Sequence, residues 1–200
     1  MAPLGLGILG SGKGSNCRAI LEQIRAGKLD AECRIVISDV AEAGILQVAE
    51  EFQVPGSFLA PGRFRTKLEP EAEEKLVRLL AGAGVELVVL AGFMRVLKAV
   101  MLEAFRGRII NLHPSLLPKY PGLEAWKQAL EAGETVTGCT VHQVDAGVDS
   151  GEIIAQRAVP ILPGDTPEIL HERIQKAERQ LYPEVIARLA RERNRNLGAL

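Results

Sequence analysis

The segment Asn111-Leu112-His113-Pro114-Ser115-Leu116-Leu117-Pro118 holds the densest chemistry in the chain. Asn111 and His113 stand two residues apart at the end of an apolar run of strand length, so their side chains share one face. A carboxamide donor beside an imidazole can stabilise the oxyanion of a tetrahedral intermediate, while the imidazole handles protons. Pro114 and Pro118 stiffen the loop that follows. Farther along lies Asp145-Ala146-Gly147-Val148-Asp149-Ser150-Gly151, a turn-rich loop with two carboxylates. A carboxylate brought near His113 would favour the imidazolium by charge attraction and raise its pKa. The residues alone leave open which aspartate arrives there. They equally allow the plain readings, a hydrogen-bonded structural histidine and an ordinary β-turn.

A second candidate is Gly10-Ser11-Gly12-Lys13-Gly14-Ser15-Asn16, between the first apolar run and a helical pattern. Glycines let backbone approach a ligand, and a helix N-terminus offers unpaired N–H groups, which together suit a phosphate. Ser15 or Asn16 can also cap the helix. A dinucleotide fingerprint would need glycine where Ser15 stands, and a P-loop would need Ser or Thr where Gly14 stands. The loop is thus either an anion cradle or a tight turn with a cap. His142 falls on a predicted strand and can face the same cleft, whereas His171 reads as a helix-surface residue. No His pair has metal-ligand spacing, so no metal is expected. Ser115 lacks the G-x-S-x-G elbow of a hydrolase nucleophile.

Composition narrows the partners. The 200 residues carry 24 basic and 25 acidic side chains, so the basic excess of a phosphate-backbone binder is missing and nucleic acid is not an expected partner. Three widely spaced cysteines, Cys17, Cys33 and Cys139, form no C-x-x-C pair, which fits a reducing compartment. No apolar run reaches membrane-spanning length, and no basic residue precedes the apolar N-terminus as in a signal peptide. The expected location is the cytoplasm.

The elements that must position these residues follow from periodicity. Strands are predicted at Leu4 to Leu9, Arg34 to Ser38, Gly56 to Leu59, Leu87 to Ala91 and Ile109 to Leu112. Helices are predicted between them, with Cys17, Ile20, Leu21 and Ile24 on one face of the first, then over Ile45 to Phe52 and Glu71 to Ala83. Leu123 to Ala132 is helical again. Val136 to Val144 and Glu152 to Val159 read as an antiparallel pair. The tail, Thr166 to Arg193, reads as two helical pieces broken at Pro183. This order implies an α/β fold, a doubly wound and mostly parallel Rossmann-like sheet with an antiparallel C-terminal strand pair and terminal helices. Residues 1–200 are expected to form a single domain, with its phosphate-binding half over about 1–110 and its catalytic half over about 111–200. In such sheets ligands sit beyond the carboxyl ends of the strands. The loops after Leu9, Ala91 and Leu112 are the places to look.

The motif from Asn111 to Pro118, extended by Lys119-Tyr120-Pro121-Gly122, strongly resembles the signature of the folate-dependent formyltransferases. Gly12-x-Gly14-Ser15-Asn16, Ala91-Gly92-Phe93-Met94-Arg95 and Asp149-Ser150-Gly151 extend the resemblance to the branch that acts on glycinamide ribonucleotide. It runs from the first strand to Tyr182-Pro183. The resemblance implies formyl transfer from 10-formyltetrahydrofolate to the primary amine of glycinamide ribonucleotide, by direct attack and without a metal. Asn111, His113 and Asp149 are implied as the catalytic trio, and Gly14, Ser15 and Asn16 as the phosphate loop. Glu178 is implied to hold substrate hydroxyl or amine groups. Arg65 (with Arg63 as the other choice), Met94, Arg95, Val96, Leu97, Asn111, His142, Asp145 and Asp149 are implied around the folate. The expected partners are small molecules, with neither membrane nor nucleic acid, and the chain is expected as a monomer or homodimer. Related formyltransferases that act on tRNA or sugar nucleotides, a formyltetrahydrofolate hydrolase and a non-enzymatic nucleotide-binding module are the alternatives. The tRNA enzyme and the hydrolase carry further domains for which this chain has no room.

Overall fold

Two apolar runs, β1 (Leu4–Leu9) and β4 (Leu87–Leu90), are buried at every position. Only a strand covered on both faces can be apolar throughout, so these two belong at the centre of a parallel sheet. A computed structural model, which describes residues 2–197, places them side by side there. The chain also forms β2 (Ala31–Ser38), β3 (Gly56–Phe58), β5 (Ile109–His113), β6 (Val136–Gln143) and β7 (Ile153–Pro160). The helices are α1 (Ser15–Arg25), α2 (Gly44–Glu51), α3 (Pro70–Gly82), α4 (Ala99–Ala104), α5 (Ala125–Glu131) and α6 (Pro167–Leu197).

The sheet order is β3-β2-β1-β4-β5-β6-β7, with β1 to β5 parallel. The antiparallel pair β6–β7 is as expected. In addition, β6 runs antiparallel to β5, with Asn111 opposite His142 and His113 opposite Thr140. That register brings His142 beside the Asn-x-His pair. Helices α1, α2 and α6 cover one face over a core that includes Leu6, Ile8, Val89 and Tyr182. Helices α3 and α4 cover the other, over Leu9, Ile37, Val88 and Met101.

Two expectations about helices need correction. The tail is a single helix that runs through Pro183. Proline removes one ladder bond and crowds the preceding turn at a cost of ~3 kcal/mol. Yet Ile174, Ala177, Leu181, Val185, Ile186 and Ala190 are buried on both sides of it, and a break would pull half of them off the sheet. Burying such side chains is worth roughly 1.5–3 kcal/mol each for the larger ones, so packing wins. Helix α4 was not anticipated, because at six residues it is too short to show periodicity. His171 is not the helix-surface residue its sequence context predicts: it is half-buried and stacks on Trp126 with ring centroids 3.7 Å apart. No described helix is long and apolar enough to cross a membrane.

Candidate active site

The strand order reverses between β1 and β4: β2 lies on one side of β1 and β4 on the other. The connections after β1 and β4 therefore diverge, and a crevice opens at their carboxyl ends. The glycine loop leaves β1 on one side of this crevice. Residues 91–97 leave β4 on the other, and the Asn111–His113 strand end adjoins them.

The glycine loop is built tightly against α2. Gly14 is the N-cap of α1 with φ 80°, a left-handed conformation that favours glycine. A Cβ at Gly14 would also stand 2.7 Å from Ile45 Cα, so the position is constrained twice. Ile45 N–H donates to the Gly12 carbonyl at 3.0 Å, fixing the loop's turn. No side chain caps the N-terminus of α1, and Ser15 is exposed. Asn16 donates instead to Glu178 on α6, at 3.0 Å, while its own Oδ1 is buried without a partner. Glu178 is 6% exposed, and burial pushes its carboxyl above the usual range, against the hydrogen bond from Asn16 that pulls it down.

At the end of β5 the two predicted side chains converge on Asp149. His113 Nδ1 lies 3.2 Å from Asp149 Oδ2, and the Asn111 amide donates to Oδ1 at 3.4 Å. Gly122 N–H donates to Oδ2 at 2.8 Å. Asp149 itself has φ 51°, so the backbone is held in an unusual conformation to aim the carboxylate. Nδ1 of His142 faces its neighbouring carbonyl, Gln143 O, at 2.7 Å and so carries the hydrogen that donates to it. Nε2 then accepts from the Asn111 amide at 3.1 Å. One Asn111 N–H thus has a good partner in His142, and the other a long one in Asp149.

Both ring nitrogens of His113 face acceptors, since Nε2 is 2.8 Å from the Tyr120 carbonyl. An imidazolium would satisfy both. The carboxylate of Asp149 does pull the His113 pKa upward, as expected, but it does not decide the net shift. Burial of the ring disfavours the charge and outweighs the Tyr120 bond and Asp149, so the pKa lies below the ordinary value. For Asp149, burial works upward, but the nearby His142 ring, the Gly122 N–H and the charge of His113 together hold it below the usual range.

The other predicted residues are placed as follows. Met94 is 58% exposed on the loop after β4, while the Leu97 side chain is buried in the core beneath α3 and α4. Val96 donates its N–H to the Thr66 carbonyl at 2.8 Å, and Lys67 pairs with Val96 in an isolated parallel bridge. The bridge registers Lys67, a cation not singled out from sequence, against residues 94–97. Arg65 is exposed, and its carbonyl accepts from Arg95 at 2.6 Å. The Arg95 guanidinium is committed within the protein, to Asp39 at 2.6 Å and to the carbonyls of Phe64 and Arg65. Asp145 is remote from the trio's bonds. Its Oδ1 accepts from Gly147 N–H at 2.9 Å and Ser150 Oγ at 2.8 Å, shaping the loop that carries Asp149. Tyr120 and Gly122 were missed because they act through backbone groups, on which side-chain type is silent. Asp39 carried a signal that went unused: a carboxylate one residue beyond a buried parallel strand.

A doubly wound sheet with a proton-handling constellation and an anion-suited loop on either side of its switch point has the layout of a group-transfer enzyme. The profile of the Formyl transferase family matches residues 6–186. The phosphoribosylglycinamide formyltransferase of Bacillus subtilis (strain 168) is 40% identical over 188 residues, 94% of this chain and 95% of that protein. The trifunctional purine biosynthetic protein adenosine-3 of Drosophila pseudoobscura pseudoobscura is 49% identical over 92% of this chain, which spans only 13% of that longer protein. The crystal structure of glycinamide ribonucleotide transformylase 1 from Symbiobacterium toebii superposes with a TM-score of 0.91 at 46% identity, covering 96% of this chain and 90% of the other. The chain belongs to the formyl transferase family.

Proposed function

We propose that the protein transfers the formyl group of 10-formyltetrahydrofolate to the primary amine of glycinamide ribonucleotide, giving formylglycinamide ribonucleotide and tetrahydrofolate in de novo purine biosynthesis. The observation that carries this reading is the meeting of Asn111, His113 and Asp149 at the same end of the sheet as the glycine loop. The names of relatives matched over nearly their whole length support it.

On this reading, the Gly14–Asn16 backbone takes the acceptor's phosphate at the N-terminus of α1. Glu178 and the unpartnered Asn16 carbonyl oxygen receive its polar hydrogens. Met94 and Val148, 58% and 60% exposed, supply apolar side chains for the folate ring from the loop after β4 and from the loop between β6 and β7. The amine nitrogen bonds to the formyl carbon, the bond from that carbon to the folate nitrogen breaks, and one proton passes from the amine to the folate nitrogen. His113, with its ring hydrogen on Nδ1 toward Asp149 and Nε2 released from the Tyr120 carbonyl, accepts that proton at Nε2 and then returns it to the leaving nitrogen. Asp149 stabilises the transient imidazolium across the 3.2 Å contact. Asn111 exchanges its long bond to Asp149 for the formyl oxygen as charge develops there, while His142 keeps the amide oriented. Holding both reactants together supplies much of the remaining acceleration.

The assay follows folate deformylation spectroscopically, with and without glycinamide ribonucleotide. Turnover is expected only with the acceptor, and Asn111→Ala, His113→Ala and Asp149→Asn should each lower kcat by ~10² or more. Deformylation that ignores the acceptor would make the protein a hydrolase. Near-normal turnover by folded His113→Ala would overturn the mechanism.

A further inference from the structure

Four strand-end loops meet at a single buried carboxylate that the chemistry above does not use. Asp39 follows β2, and its side chain is 2% exposed. Its Oδ1 accepts from Ser11 Oγ of the glycine loop at 2.5 Å, and its Oδ2 from Arg95 Nε of the loop after β4 at 2.6 Å. Ser11 Oγ in turn accepts from Met94 N–H at 2.9 Å, and Ser11 N–H donates to the Gly92 carbonyl at 3.0 Å. Arg95 Nη1 extends the network to the carbonyls of Phe64 and Arg65 beyond β3. A carboxylate taken out of water is costly unless each oxygen has a good partner. Here both do, and the partners lie on opposite sides of the switch point. The two loops therefore cannot shift independently without stripping one oxygen of Asp39.

We propose that Asp39 is a positioning residue that couples the two substrate subsites, holding the glycine loop and residues 92–97 in fixed register across the crevice. This inference rests on the reading of those loops as the acceptor-phosphate and folate subsites. A ligand that immobilises residues 92–97 would, through Arg95, Asp39 and Ser11, pre-set the glycine loop for the other ligand. Because coupling between sites is reciprocal, each ligand must tighten the other by the same factor.

Calorimetric titration tests this with two non-reacting ligands, glycinamide ribonucleotide and tetrahydrofolate, each titrated alone and then in the presence of the other. In the wild-type protein each should tighten the other about fivefold or more. In Asp39→Asn, which keeps the size of the side chain and removes its charge, the factor should fall to about one while each ligand still binds. Ser11→Ala is the second variant. It leaves the ion pair of Asp39 with Arg95 intact and removes the Ser11 hydroxyl's bonds to Asp39 and to Met94 N–H, and it should lose the coupling as well. A merely structural role would lower the melting temperature and leave the coupling factor untouched. Wild-type protein without mutual tightening, or undiminished tightening in the folded variants, would overturn the proposal. Wild-type protein that binds neither ligand would reject the reading of the subsites, and the inference with it.

Discussion

At the scale of single residues, the site is governed by how burial and hydrogen bonding trade against charge. Glu178 shows this most directly. Burial raises its carboxyl above the ordinary 4.5, so the folded state holds its proton more tightly than the unfolded chain. The contribution to stability is therefore fully present below the unfolded value and is lost as pH rises through the folded one. Above the folded-state value the protein carries a buried carboxylate whose side-chain hydrogen bond, among the described residues, comes from Asn16. Glu178→Gln keeps an acceptor for Asn16 and removes the charge. Its melting temperature should exceed the wild type's at pH 8, with the gap closing toward pH 4, while the KM for the acceptor rises. A gap independent of pH would show that burial of this charge is not what the fold opposes. His113 teaches the same lesson about legibility. Its chemistry and its spacing from Asn111 were plain in the sequence, as was an aspartate-bearing loop to meet it. The sign of its pKa shift was not, because ring burial is a property of the packed neighbours and not of the residue list.

At the scale of elements, periodicity located almost every strand and helix, because a strand covered on both faces and an amphipathic helix each leave a direct mark on residue order. Helix α4 left none, being shorter than two turns. Pro183 left a misleading one: local preference called for a break where tertiary packing kept the helix whole. That conflict can be measured. Pro183→Ala restores a donor to the α6 ladder and relieves a crowded turn, worth ~3 kcal/mol in a helix interior. The proline ring is buried, and removing two of its methylenes gives back ~0.8 kcal/mol each. The helical term is the larger, so Pro183→Ala should stabilise the protein by roughly 1 kcal/mol in chemical denaturation. A loss of stability would mean that α6 requires the proline for its fit against the sheet.

At the scale of the whole molecule, the site stands where it does because β4 and β5 present their carboxyl ends to one crevice, and α6 helps keep them in line. Tyr182 on α6 is fully buried and its hydroxyl donates toward two carbonyls, Leu90 of β4 at 2.9 Å and Ile110 of β5 at 3.1 Å. Leu90 leads into the loop of residues 91–97, and Ile110 directly precedes Asn111. One hydroxyl thus spans the two strands that carry residues 91–97 and the Asn111–His113 pair. Tyr182→Phe keeps the ring and leaves two buried carbonyls without that donor, a loss of ~1–3 kcal/mol. For a chain of this size that corresponds to a drop of roughly 2–12 °C in melting temperature. If the hydroxyl also sets the spacing of the strand ends, kcat should fall in the folded variant while the KM for the acceptor, for which the glycine loop is the proposed site, changes little. Unaltered kcat together with the stability loss would confine Tyr182 to holding α6 on the sheet, and would leave the alignment of β4 with β5 to their own ladder.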